Sequence, residues 1–299
     1  MSAPTLDANR GSAPAERSER RPNRLANRQR PGWLAYAFLA AVLLGSVFPL
    51  YWSFLIGSGD ASTITKDIVW WPGGNFLTNA AEVLNNESVN FWKAIGNSII
   101  VSTVVAFLVV LFSTLAGFAF AKLRFRGKTG LLIFVIATMA VPTQLGVVPL
   151  FIAMSKIQLA GTLASVILPA MVSAFGVFWM TQYLSQALPY ELIEAARVDG
   201  ASLIGTFWYV ALPASRPAAA MLGLFVFIAT WTNFFWPFIV LDRQNPTLPV
   251  ALSLLSANYF VDYSVVLAGV ILSTIPLLIL FVLAGKQLVS GIMQGAVKG

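Results

Sequence analysis

Six windows of this sequence, 31–59, 94–121, 129–155, 157–190, 217–241 and 263–285, contain no Asp, Glu, Lys or Arg. An α-helix needs about 20 mainly apolar residues to cross ~30 Å of hydrocarbon, and each window is long enough. The fourth is longer than a span requires, so its helix is expected at about 163–186. Only 10% of the 299 residues are charged, and mean hydropathy is +0.77. Soluble domains carry roughly 25% charged residues; this chain has too few to clothe a globule in water. The expected fold is all-α, a polytopic membrane protein with six transmembrane helices.

The basic residues orient it. Between the windows, Lys and Arg number fifteen on one set of alternate segments and four on the other, while the acidic residues divide six and six. Basic residues gather in cytoplasmic loops, so both termini are expected inside the cell, in a bacterial or archaeal inner membrane. The net charge of +7 thus reads as topology rather than as a nucleic-acid surface. Residues 1–30 hold seven Arg among Pro, Ala and Ser, and are expected to form a disordered basic cytoplasmic tail that sets orientation or touches anionic lipid. No cleavage site precedes Asp60, so the first span, 31–59, is expected to be retained. The extracytoplasmic segment 60–93 carries Trp70-Trp71-Pro72, an interfacial anchor, and a short surface helix is expected from Leu77 to Leu84. Residues 94–290 form the expected core of five spans, and 291–299 a cytoplasmic C-terminal tail.

Whole classes of chemistry are excluded. With no Cys and no His, disulfides, thiolate metal sites and the usual proton shuttle are absent. No ionisable side chain is expected inside a span. An ion-coupled secondary carrier needs an intramembrane Asp, Glu, Lys or His, so uphill transport here requires energy from another subunit. The loop Lys122-Leu123-Arg124-Phe125-Arg126-Gly127-Lys128-Thr129 ends like a phosphate-binding loop. It lacks the second Gly that motif requires five residues earlier, where Lys122 stands, and no strand precedes it. Prolines at 142, 149, 169, 237 and 276 each remove a helix hydrogen bond and favour a kink. Several kinks in one bundle suit a gated pathway better than a rigid anchor, and a passive channel would be one such pathway.

Between the fourth and fifth spans a helix is expected from Pro189, with Glu191 in its first turn. Gly200 fits the left-handed position past its end. Leu192, Ala195 and Ala196 share a face, where small residues permit close approach of another surface. A second helical stretch follows from about Ser202 to Val210, and Leu212-Pro213 closes the loop 188–213. By shape alone, this elbow also suits an interfacial helix tethering two spans.

Its residues go further. Glu194-Ala195-Ala196, then Gly200, Val210 and Leu212-Pro213, at these spacings, resemble the signature loop of binding-protein-dependent ABC importer permeases, with Val in place of the family's Ile. The resemblance covers roughly 94–290. Its other segments are Gly96-Asn97-Ser98, Ala121 to Gly127, Pro142-Thr143-Gln144, Pro149-Leu150-Phe151, Leu188 to Leu192, Ala195 to Ser202, Trp231 to Pro237 and Thr247-Leu248-Pro249-Val250. The chain is similar to the smaller permease subunit of the maltose-type, carbohydrate-importing branch. It departs at Trp231-Thr232-Asn233, where the family often has an acidic residue after Trp-Asn.

The resemblance implies a type I importer permease fold, and the elbow as a coupling helix seated in a groove of a cytoplasmic ATPase through Glu194, Ala195, Ala196, Asp199, Gly200, Leu212 and Pro213. It implies four partners: a second, different permease subunit, two ATPase domains and an extracytoplasmic sugar-binding protein. ATP and Mg would be bound by the ATPase subunits, leaving this chain without catalytic residues or cofactor. A sugar pathway would draw on Gln144, Thr230, Trp231, Asn233 and Trp236, polar or aromatic groups at membrane depth, which equally serve helix–helix hydrogen bonding. A polyol or glycerol phosphate is the alternative cargo within the same class.

Overall fold

The computed structural model describes residues 32–60, 69–257 and 261–296, those from 285 onward as backbone only. The basic tail expected at 1–30 lies outside the described residues. Among them, four helices are long and apolar enough to cross a membrane, and six spans result if each of two bent helix pairs counts as one. The chain divides into two compact units at Pro49–Leu50, inside helix α1 (Trp33–Gly57). Residues 33–49 form a continuous apolar helical stretch in which Ser46 Oγ donates to Val42 O at 2.8 Å.

The second unit is built around α3 (Phe91–Lys122), preceded by the short helix α2 (Phe76–Asn85) expected from the sequence. Then come α4 (Lys128–Thr138), a 3-10 turn (Thr143–Gly146) and α5 (Val147–Lys156), followed by α6 (Ala164–Ala170) and α7 (Ala174–Ala187). The elbow helices are α8 (Tyr190–Val198) and α9 (Leu203–Thr206), and α9 leads into α10 (Leu212–Trp231). Last are α11 (Phe235–Val240), α12 (Leu248–Leu255) and α13 (Tyr263–Ala296). The third expected span is broken, not merely kinked: α4 and the 143–156 segment meet at 88°. Pro142, extended at φ −61° and ψ 123°, stops one helix and opens the next turn. The fourth span bends by 42° between α6 and α7.

Small residues let the backbones of α3 and α7 approach closely, as at other membrane helix interfaces. A Cβ on Gly117 would lie 2.7 Å from Met180 Cβ, and one on Gly176 would overlap Ser113 Oγ. Three apolar clusters follow the length of α3. At its start Phe91 and Ala94 pack with Val83, Trp231, Leu248 and Val265. In its middle Val101, Val105 and Val109 meet Met180 and Leu222. At its end Phe118 meets Leu184, Leu188, Ile193 and Phe207. With a rise of about 1.5 Å per residue, α3 separates the first and last clusters by most of a bilayer.

The end where α3 starts is locked by polar groups. Asn97 Nδ2 donates to Pro246 O at 2.9 Å, and Leu248 N donates to Ser98 Oγ at 2.8 Å. Asn79 Nδ2 donates to Gly57 O and Gly59 O, tying α2 to the end of α1. Trp70 and Trp71 remain exposed, Trp71 at 80%, as an interfacial anchor requires.

Candidate functional site

Why Gly200 must be Gly is now visible in the backbone. It sits at φ +82°, in the left-handed region that costs other L-residues roughly 1–2 kcal/mol. Gly200 N donates to Arg197 O at 3.0 Å and Ala201 N to Ala196 O at 2.9 Å, the paired bonds that close a helix C-terminus. Space is not the constraint, because a Cβ there would meet nothing within 4 Å. Ser202 then caps α9, its Oγ accepting from Gly205 N at 3.1 Å. Pro189 stands one residue before α8 rather than at its first position, with ψ 147°.

One side chain of α8 anchors it. Ile193 is 2% exposed and packs with Leu188, Leu184 and Phe207, and the Phe207 ring lies 6.0 Å from Phe118 of α3. The opposite side faces outward: Leu192 is half exposed, Glu194, Ala195, Asp199 and Gly200 are exposed, and Ala196 is half-buried. Val198 at 87% and Ile204 at 72% extend an apolar surface across both arms of the elbow. The side chains of Glu194 and Asp199 make no hydrogen bond or ion pair among the described residues.

Leu212-Pro213 does not close the loop, contrary to the sequence expectation. The segment expected as a separate stretch, Ser202 to Val210, is α9 plus a π-helical turn (Phe207–Ala211) running straight into α10. Leu212 N donates to Phe207 O, five residues back. Pro213 and Pro217 have no N–H to give, and the wider turn carries the chain past the first of them. Leu203–Trp231 is therefore one membrane-length helix. Arg216, expected just outside the fifth span, lies within this helix. Lys122, also in a spanning helix, is 8% exposed with Nζ donating to Ser185 O at 3.1 Å. Both residues lie toward the elbow end of helices that are longer than the roughly 20 residues a crossing needs.

The five residues expected along a substrate pathway separate into two kinds. Trp231 and Trp236 have their polar atoms committed. Trp231 is 3% exposed, its indole Nε1 donating to Ser273 O at 3.2 Å, and its ring stacks on Phe227 at 5.8 Å. Trp236 Nε1 donates to Ser165 O at 3.0 Å. The reason is local: Pro169, four residues after Ser165, lacks the N–H that would fill that carbonyl. Gln144, exposed on the 3-10 turn, and Thr230 and Asn233, half-buried around the end of α10, make no side-chain hydrogen bond among the described residues.

A cavity of about 450 Å³ lies between α10, α12 and α13. Of the five residues, it is lined by Trp231. Hydroxyls the sequence reading did not single out, Thr232, Ser253, Ser256, Ser273 and Thr274, line it too. Ser253, Ser273 and Thr274 donate to backbone carbonyls one turn back, so toward the cavity they offer lone pairs. Scattered single hydroxyls in separate helices leave no periodic signal in a sequence.

A broken, proline-rich helical bundle with an exposed elbow between two of its spans is the architecture of a transport permease. Residues 110–291 match the family described as the binding-protein-dependent transport system inner membrane component, and the chain belongs to that family. It is 33% identical over 270 residues to the arabinooligosaccharides transport system permease protein AraQ of Halalkalibacterium halodurans, covering 89% of this chain and 95% of that protein. It is 32% identical to the lactose transport system permease protein LacG of Rhizobium radiobacter, covering 91% and 98% of the two chains. Its fold resembles a chain in the crystal structure of a bacterial ABC transporter involved in the import of the acidic polysaccharide alginate, with a TM-score of 0.72, 23% identity and coverage of 85% and 95%. The protein is thus a multi-pass membrane permease subunit of an ABC importer, not an enzyme.

Proposed function

We propose that this chain forms, with a second and different permease subunit, the membrane pathway for a carbohydrate delivered by an extracytoplasmic binding protein. Two cytoplasmic ATPase domains would bind ATP and Mg and drive it. Relatives that carry arabino-oligosaccharides and lactose and align over nearly their whole length support the cargo class, and favour it over a polyol or glycerol phosphate. Both termini and the elbow are assigned to the cytoplasm by the distribution of Lys and Arg.

The observation that carries the coupling role is the elbow's asymmetry. One buried side chain, Ile193, anchors α8, while Leu192, Glu194, Ala195, Asp199 and Gly200 are presented outward. Leu212 and Pro213 act differently from the rest of the signature: they join the elbow to the fifth span without a break. When the ATPase dimer closes on ATP, it draws the elbow inward, and α9 to α10 moves as one rod. The spans reorient toward the loaded binding protein, and hydrolysis resets them. The nucleotide-closed ATPase need only bind one bundle state better than the other.

For the substrate, Gln144, Thr230 and Asn233 are the candidates among the five, with Trp231 in the lining of the cavity; Trp236 is assigned to structure. Trp236→Phe leaves the Ser165 carbonyl unpaired. It is expected to cost about 1–3 kcal/mol in thermal unfolding while leaving the apparent KM for import unchanged. A raised KM at normal stability would return Trp236 to the pathway. For coupling, ATPase subunits are expected to co-purify with the wild-type permease and to be lost from a Leu192→Asp variant. Vesicle uptake that persists without any ATPase subunit would refute the proposal.

A further inference from the structure

The turn between α3 and α4 concentrates cations without a counter-charge. Lys122, Arg124, Arg126 and Lys128 fall within seven residues, with no Asp or Glu among them. Lys122 is turned inward onto Ser185 O, and the acidic side chain whose charge reaches it is Glu191. Arg124 and Lys128 line a cavity of about 360 Å³ together with Phe125, Gly127 and Thr129, and Arg126 is exposed in the same turn. Lys128 Nζ donates to Leu123 O at 3.1 Å, which leaves two of its three N–H bonds for a ligand. Arg124 lies 5.8 Å from the centre of the Tyr190 ring. Among the described residues none of the three forms an ion pair. The like charges of Arg124 and Lys128 in one cavity's lining repel each other, and an anion seated there removes that cost.

The surface next to this cavity says what kind of anion. No residue of α4 is buried. Leu131, 49% exposed, and Phe134, 65% exposed, lie three residues apart on one helix face, and that face runs from the cavity into the membrane. Phe125, 41% exposed, is part of the cavity's own lining. Free phosphate would leave this apolar strip uncovered. An acidic protein segment would meet hydrocarbon-facing side chains one turn past the cations. An amphiphile covers both.

We propose that this cavity holds the phosphate headgroup of an anionic membrane phospholipid, with its acyl chain along Leu131 and Phe134. Arg124 and Lys128 hold the phosphate, and Arg126 adds long-range attraction. Arg124 also stacks on Tyr190, the first residue of elbow helix α8, so headgroup and elbow share one cation. Lipid occupancy therefore bears on how firmly the elbow is held, and the binding itself does not depend on the cargo or on the coupling assignment.

The test uses the complete transporter in nanodiscs of phosphatidylcholine with a minority of phosphatidylglycerol, with lipid retained on the complex counted by native mass spectrometry. Wild type is expected to retain phosphatidylglycerol selectively, and Arg124→Gln and Lys128→Gln to lower that retention about fivefold each. Retention is expected to fall at high salt, and unfolding temperatures to match wild type. A phosphatidylglycerol with a photoreactive acyl chain, used on the wild type so that no variant need fold, is expected to label residues 125–134. Equal retention in wild type and variants, or labelling elsewhere, overturns the proposal. Displacement of the lipid by millimolar inorganic phosphate would make this a free-phosphate site. Loss of ATPase subunits from the variants with lipid unchanged would give the patch to protein docking instead.

Discussion

The two ends of α3 use their polar and apolar groups in opposite ways. Where α3 starts, Asn97, Ser98, Asn79 and Ser58 are turned into the protein, bonding backbone groups of α12, α1 and the segments between. Where α3 ends, elbow helix α8 keeps a single buried anchor and presents carboxylates and apolar side chains outward. The first end completes itself. The second presents its surface outward, as the proposed coupling to an ATPase requires. On that proposal stability and coupling are separated along one helix, and substitutions at the two ends are expected to have different consequences.

The largest effect is expected at the anchor. Ile193→Ala empties a buried position at a cost of about 2–5 kcal/mol. Because Ile193 is what fixes α8 to the bundle, that loss falls locally. Amide exchange over 190–206 in the reconstituted transporter is expected to accelerate while α3 and α7 stay protected, and import is expected to stop. If α3 exchanges faster as well, the two ends are not separable. Asn97→Ala should do the reverse. The Pro246 carbonyl loses its donor, worth about 1–3 kcal/mol when buried, so thermal stability falls while ATPase co-purification is unchanged. A drop in ATPase retention would break the contrast. At Gly200 the change is conformational. Gly200→Val forces a β-branched residue to φ > 0 at a cost of roughly 1–2 kcal/mol, and import is expected to fall about tenfold with insertion intact. Gly200→Asn, which tolerates that region better, is expected to restore most of the loss. If Asn is as damaging as Val, φ is not the constraint.

Much of this division is legible in the sequence, and the parts that are not have definite physical reasons. Gly200 is readable because a single rule, φ > 0 past a helix end, selects Gly. The outward face Leu192, Ala195, Ala196 is readable because small residues at helical spacing mark close approach. Pro213 misleads, since a proline after a short helix reads as a stop; the backbone instead widens into a π-turn and continues, a choice made by Phe207 packing on Phe118 across 89 positions of sequence. The 88° break at Pro142 looks like an ordinary kink because hydropathy is blind to direction. Trp231 and Trp236 read either as sugar contacts or as helix–helix hydrogen-bond donors, since both are aromatic donors at membrane depth. What claims their N–H groups are Ser273 O and Ser165 O, and the second acceptor is freed by a proline in another helix. Such pairings are tertiary, and periodicity cannot expose them.

The smallest effect tests whether the elbow behaves as one rod with the fifth span. Ser202 caps α9 through Gly205 N at 3.1 Å, and Ser202 O accepts from Thr206 N at 2.7 Å. Ser202→Ala removes only the side-chain bond, worth about 1 kcal/mol. If α9 and α10 are one body, that loss is shared along a helix of membrane length, buried at Phe207, Ala211 and Ser215. Import is then expected to fall by less than about fivefold, in line with that energy, and exchange at 203–206 is expected to change only slightly. If α9 is instead an independent hook, the missing cap unravels it alone. Exchange at 203–206 would then rise sharply, and import would fall as far as in Gly200→Val. The comparison of these two neighbouring substitutions decides whether the ATPase pulls on a hinge or on a lever. The unbroken Leu203–Trp231 helix argues for the lever.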